Sequence, residues 1–277
     1  MSPLSEVSLV TWREVRKTFR TARGGALAAI SVLGGGAVSM LFASFDRMTR
    51  ERLPPGSDLH EVRLQFFSAW YKEPGIGERL ADCPYALWMM LIANLWLAPL
   101  LVALMTFDAV SGDLQRGTVR FWVVRARRSS CLLGKALGAW IAVLAVSLAM
   151  NVIVWGTTAT IEHLSALYVV GWGLRFFAVV VPVTAAWCAI AVLIGSQIKT
   201  PMLSLLTIFA TFFTFWVVHV AAVLTRRDWL SWAYPNAYDS LFLSADPGNI
   251  ARGLLGTGVI TALSVGVAVL AFERRDL

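Results

Sequence analysis

Six apolar runs, at residues 24–45, 85–107, 132–160, 164–194, 201–224 and 250–272, constrain this chain more than any other feature. A hydrocarbon core takes about 20 apolar residues to cross as a helix, because lipid offers no partner for an open backbone amide. All six runs meet that length. The third and fourth exceed it and are expected to tilt or to run past the interface. The longest remaining pieces, 46–84 and 225–249, are far below the ~100 residues of an ordinary soluble domain. The expected fold is therefore all-α: one integral membrane domain over residues 1–277, with six transmembrane helices.

Lys and Arg near the spans set the orientation. Arg13, Arg16, Lys17, Arg20 and Arg23 precede the first run, and Arg116, Arg120, Arg125, Arg127 and Arg128 follow the second. Both segments are expected in the cytoplasm, so 46–84 and 225–249 fall outside and six crossings return the C-terminus inside. Arg226 and Arg227 dissent, although acidic residues share their loop. The net charge of +7 is spread over loops on both sides, which fits topology and lipid contact and does not fit nucleic-acid binding. No cleavage site follows the first apolar run, so that helix is expected to stay. Cys83, Cys131 and Cys188 fall in three different compartments, which argues against an internal disulfide.

Ahead of the first span, Trp12, Val15 and Phe19 recur at helical spacing, with Arg13, Arg16, Lys17 and Arg20 on the neighbouring side. That is the pattern of an amphipathic helix lying in the interface, basic side toward anionic head groups. The outer loops carry aromatic clusters, Phe66, Phe67, Trp70 and Tyr71 in one and Trp229, Trp232, Tyr234 and Tyr238 in the other, expected mainly as interface belts. Gly134 and Gly138 permit close helix contact, and Pro99 and Pro182 are expected to bend their spans.

Catalytic chemistry is sparse. Gly112 to Thr118 imitates a phosphate loop, but Thr118 stands where a lysine is required and no strand precedes it. His60-Glu61 begins a zinc-protease motif that fails at Leu64. The three histidines, His60, His163 and His219, are scattered over separate segments, so no metal site is expected. None of the six runs contains Asp or Glu, whereas ion-driven transporters keep carboxylates at membrane depth. Any work done by this chain is expected to draw its energy from another. Arg175 is the one basic residue deep in a span, about 16 Å from the outer end and near the bilayer middle at 1.5 Å per residue. It is expected to bond carbonyls or an amide such as Asn151, or else to meet an anionic substrate or head group.

The remaining signal is the charged stretch 108–131 between the second and third spans. Its order of residues, Asp108, Ser111, Gly112 and Asp113, then Gly117-Thr118, then Arg128, then Gly134-Lys135, resembles the membrane subunit of type-2 ABC exporters. Asp113 stands where that family more often has Glu, and Val123-Val124-Arg125-Ala126 replaces its usual leucines and proline. The ending Phe272 to Leu277 is also similar.

The resemblance implies a permease in the bacterial inner membrane, paired with a second permease copy, a homodimer more readily than a heterodimer. Two separate ABC subunits would dock beneath the pair, holding the ATP and magnesium that this chain lacks. It also implies that 108–131 is a coupling loop. In this reading Ser111 caps a short helix seated in a groove of the ATPase, and Lys135 with the Gly134/Gly138 helix carries the displacement onward. A non-transporting scaffold that couples an ATPase to a periplasmic process shares all these motifs. A lipid-modifying enzyme using Arg175 or His163 is the third reading, and it demands turnover without ATP.

Overall fold

The computed structural model describes residues 2–52, 58–71, 75–118 and 127–274. Arg120, Arg125, the 123–126 departure and Arg275 to Leu277 lie outside the described residues. Among those described there is no strand.

Helix α1 (Pro3–Arg20) starts at Ser2, whose hydroxyl accepts from the Ser5 N–H at 3.3 Å, with Pro3 in the first turn where its missing N–H costs nothing. Helix α2 (Ala22–Arg52) follows after the extended Thr21. It runs past the expected end of the first span, so part of the 46–84 loop is helical. That loop also holds α3 (Leu59–Trp70), capped by Asp58, and α4 (Ile76–Ala81). Next come α5 (Tyr85–Thr106), the five-residue α6 (Ser111–Gln115), α7 (Arg128–Ile161), α8 (Ala166–Gln197) and α9 (Pro201–Thr225). Two 3-10 turns over 228–238 and the short α10 (Asp239–Leu243) lead into α11 (Pro247–Glu273), which Asp246 caps through the Gly248 N–H at 3.0 Å.

Six of these helices are long and apolar enough to cross a membrane, in agreement with the six runs. The spans lie within α2, α5, α7, α8, α9 and α11, and the chain is a multi-pass membrane protein. Helices α7 and α8 have 34 and 32 residues. At 1.5 Å per residue they are about 50 Å long, more than a ~30 Å core requires.

The core lies where α5, α7 and α8 meet, and Trp88, Val102, Val154, Val183 and Trp187 are sealed there. Helix α1, the 107–113 segment and the ends of α8 and α11 collect at one end, called here the basic end. The outer-loop helices collect at the other. Their aromatics divide between two tasks. Phe67 and Tyr71 are buried in the core, and the Trp88 indole donates to the Tyr71 hydroxyl at 3.1 Å. Tyr234 packs edge-on against Trp187, and Asn236 accepts from the Trp187 indole at 2.8 Å while donating to the Leu95 carbonyl. Trp70, Trp229 and Trp232 stay exposed, as a belt requires. The expectation of mainly interface belts thus holds for only part of each cluster, because a loop helix with one apolar face buries area against the bundle.

Helices α9 and α11 are the least covered spans. They present Leu206, Phe213 and Trp216, and Leu255, Leu263 and Leu270, to the surroundings.

Candidate functional site: a buried lysine junction

Lys135 lies two turns into α7, and its side chain is 5% exposed. An ammonium has three protons to place, and three acceptors receive them. They are Asp113 Oδ2 at 2.5 Å, Glu14 Oε1 at 3.3 Å, and the Ala109 carbonyl. The carboxylates are themselves nearly enclosed, at 10% and 11% exposure. Lys17 reaches the other Glu14 oxygen at 3.8 Å from one turn along α1. Three segments far apart in sequence are thereby tied to one buried charge.

Local structure delivers Asp113 to this point. The chain leaves α5 through a turn over 107–110 that keeps helical bonding, Gly112 N–H to the Asp108 carbonyl at 3.1 Å and Leu114 N–H to Val110 at 3.0 Å. Because no extended break precedes α6, Ser111 has nothing to cap. Its hydroxyl donates back to the Phe107 carbonyl instead, and no side chain caps the helix. This corrects the expected role of Ser111. Val110 is buried with Leu132, Val192, Ala268 and Phe272, which seats the turn under α7, α8 and α11. Gly117 then ends the helix at φ +67°, a left-handed position that costs glycine little, while Thr118 donates to the Asp113 carbonyl at 3.3 Å.

Helix α6 has two sides as a result. Ser111, Gly112 and Asp113 face inward and are buried, whereas Gln115 and Arg116 are exposed.

The close contact that Gly134 and Gly138 were expected to permit is made with α1. A Cβ on Gly134 would stand 2.6 Å from the Val10 Cβ, and one on Gly138 would stand 2.7 Å from the Glu14 Cβ. The groove they make in α7 receives α1, not another span. Thr11 donates into it, to the Gly134 carbonyl at 3.2 Å. Glu6, in the first turn of α1, accepts the Arg127 N–H at 3.2 Å, and that bond holds its carboxyl below the ordinary range. Arg128 closes the other flank by donating to the Glu273 carbonyl at 2.9 Å.

The remaining expected residues sort as follows. Asp108 lines a polar cavity of about 190 Å³ beside the junction, together with Glu14, Lys17 and Lys135. Trp12 and Phe19 are exposed, and so are Arg13 and Arg20; the Arg16 guanidinium sits over the Trp12 ring, 5.2 Å from its centroid. Lys17 of that helix lies 3.8 Å from Glu14 Oε2.

Arg175 and Asn151 do not meet. Asn151 is buried and donates to the Ser147 carbonyl within its own helix at 2.8 Å. Arg175 is exposed and lies over Trp172, 5.1 Å from the ring centroid. It lies nine residues, about 14 Å, into α8. His60 pairs with Asp82 at 3.2 Å, and His219 stacks on Tyr234.

Glu14 was missed by the sequence reading. Its signal was available: one acid inside a run of five basic residues on an amphipathic helix, at the position that turns toward α7.

No curated protein sequence matches the chain significantly. The family model described as ABC-2 family transporter protein, however, matches residues 9–277, which takes in most of α1, the junction and all six spans. The chain belongs to the ABC-2 transporter family and is its membrane permease subunit.

Proposed function

We propose that this permease works as half of an exporter in the bacterial inner membrane, with both termini cytoplasmic, two copies paired and two ABC ATPase subunits docked at the basic end. ATP and magnesium belong to those partners. Helix α6 is the element on which the ATPase acts. Its exposed residues Gln115 and Arg116 meet the partner, and its buried residues pass the movement inward.

The observation that carries this reading is the three-way bond of Lys135. A push on α6 moves Asp113 and Ala109, and the lysine takes α7 with them. Glu14 brings α1, which is seated in the glycine groove of the same helix. One displacement at a five-residue helix therefore shifts two long elements as a body, because a packed polar cluster has few intermediate arrangements. In this account Asp113 is a transmitting residue and does not itself touch the ATPase.

The test measures ATPase stimulation and copurification with the partner subunit in reconstituted vesicles. Asp113→Asn is expected to keep the partner bound and to lower stimulation, whereas Arg116→Glu is expected to weaken binding itself. Unchanged stimulation in the Asp113 variant, with the partner bound as in the wild type, refutes transmission through the junction. Loss of copurification in that variant alone refutes the division of α6 into two sides.

A further inference from the structure

Two cavities line the seam between α8 and α11, the second also walled by Leu133, Ala136 and Leu137 of α7, which flank Lys135 in sequence. The first, about 370 Å³ and near the end opposite the junction, is bounded by Arg79, Trp172, Arg175, Phe176, Phe242 and Leu254. The second, about 500 Å³, continues from Leu254 along Pro182, Trp140, Gly258, Ala262 and Val265. Leu254 lines both, so the two cavities adjoin and offer two chemistries side by side.

The upper part is cationic. Arg175 has no ionic partner among the described residues, and its guanidinium is held over Trp172. Arg79 has only a long 3.5 Å contact to the Leu243 carbonyl. No carboxylate lines either cavity. The lower part is apolar although it contains Thr257 and Thr261, because both hydroxyls donate to their own helix at 2.8 Å and leave their methyl groups outward. From Ile250 to Val265 the groove follows α11 for about 22 Å, more than the ~15 Å depth of one leaflet.

We propose that this groove binds one anionic phospholipid, its phosphate between Arg79 and Arg175 and an acyl chain along α11 below Leu254. Arg175 lies about 14 Å along α8 from Ala166, and its long side chain can extend the guanidinium toward the phosphate level. Two uncompensated cations over an apolar trough favour a negative head joined to a chain over a zwitterionic lipid or a free anion. The site is independent of the proposed coupling to ATP.

The test uses the full chain in detergent, stripped of lipid and titrated by native mass spectrometry with dioleoyl phosphatidylglycerol, dioleoyl phosphatidylcholine, or sn-glycerol 3-phosphate alone. The wild type is expected to bind the glycerol lipid about tenfold more tightly than the choline lipid, the scale of a charge-assisted hydrogen bond. Arg79→Ala with Arg175→Ala is expected to erase that preference while keeping the choline-lipid affinity, which also reports a folded chain. Arg79→Lys with Arg175→Lys is expected to retain most of it. Ala262→Phe, which fills the trough, is expected to weaken both lipids. Equal binding of the two lipids by the wild type, a preference that survives the double alanine variant, or glycerol 3-phosphate binding as tightly as the lipid overturns the proposal.

Discussion

Replacing Lys135 by Met removes the ammonium that hydrogen-bonds both Glu14 and Asp113. Both carboxylates are within hydrogen-bond reach of a single Nζ, so they lie at most about 6 Å from each other. At an effective dielectric of about 20, their repulsion at that separation is about 3 kcal/mol. The Ala109 carbonyl loses its donor as well, which costs about 1 kcal/mol more. Breaking a buried pair from one side typically costs about 3 to 5 kcal/mol, in agreement with that total. Asp113→Asn is milder, because Lys135 keeps Glu14 and Ala109 and the amide oxygen still accepts. The expected order of stability is wild type, then Asp113→Asn, then Lys135→Met. A variant combining Glu14→Gln, Asp113→Asn and Lys135→Met should recover much of the loss, since no charge remains buried. Thermal unfolding in lipid nanodiscs, followed by intrinsic tryptophan fluorescence, measures all four. Finding Lys135→Met no less stable than Asp113→Asn, or the neutral triple variant no better than the single lysine variant, would refute the electrostatic account.

Other consequences can be checked directly. Gly117→Ala places a side chain at φ +67°, and it should destabilise by about 1 kcal/mol and reduce ATPase stimulation without loss of membrane insertion. Gly134→Leu forces a side chain into Val10, so α1 should leave its groove and trypsin should cut faster at Arg16 and Lys17; an unchanged cleavage rate counts against the docking. Asp239, in the loop at the far end, has its pKa raised to about 6 by burial. The folded state therefore holds a proton that the unfolded state releases near pH 4, and stability should fall as pH rises from about 4 to 6 and stay level above. The loss is at most about 3 kcal/mol, reduced by the partial exposure of the residue, and Asp239→Asn should abolish this pH dependence in unfolding measurements. Phe67→Ala should cost about 3 to 5 kcal/mol, because its ring is sealed against Trp88 and Tyr85 and its loss leaves a cavity; a cost near zero would show that α3 only rests on the surface.

Much of this protein was fixed by information local to the chain. Hydropathy alone marks six spans, because each helix must satisfy its own backbone in lipid whatever its neighbours do. The order Asp113, Gly117, Lys135 likewise marks the segment that matters, and the left-handed position at Gly117 is one that only its own residue type makes easy. What the tertiary structure decided was which residues meet. Glu14 and Lys135 are 121 positions apart, and no periodicity links them. The inward turn of Asp113 depends on Val110 finding a seat beneath Phe272. Asn151 bonding within its own helix and Arg175 turning to Trp172 are choices between faces of a helix that apolar composition leaves open. Helix formation is a local balance, while the pairing of buried charges depends on how whole helices pack, and that is written only in three dimensions.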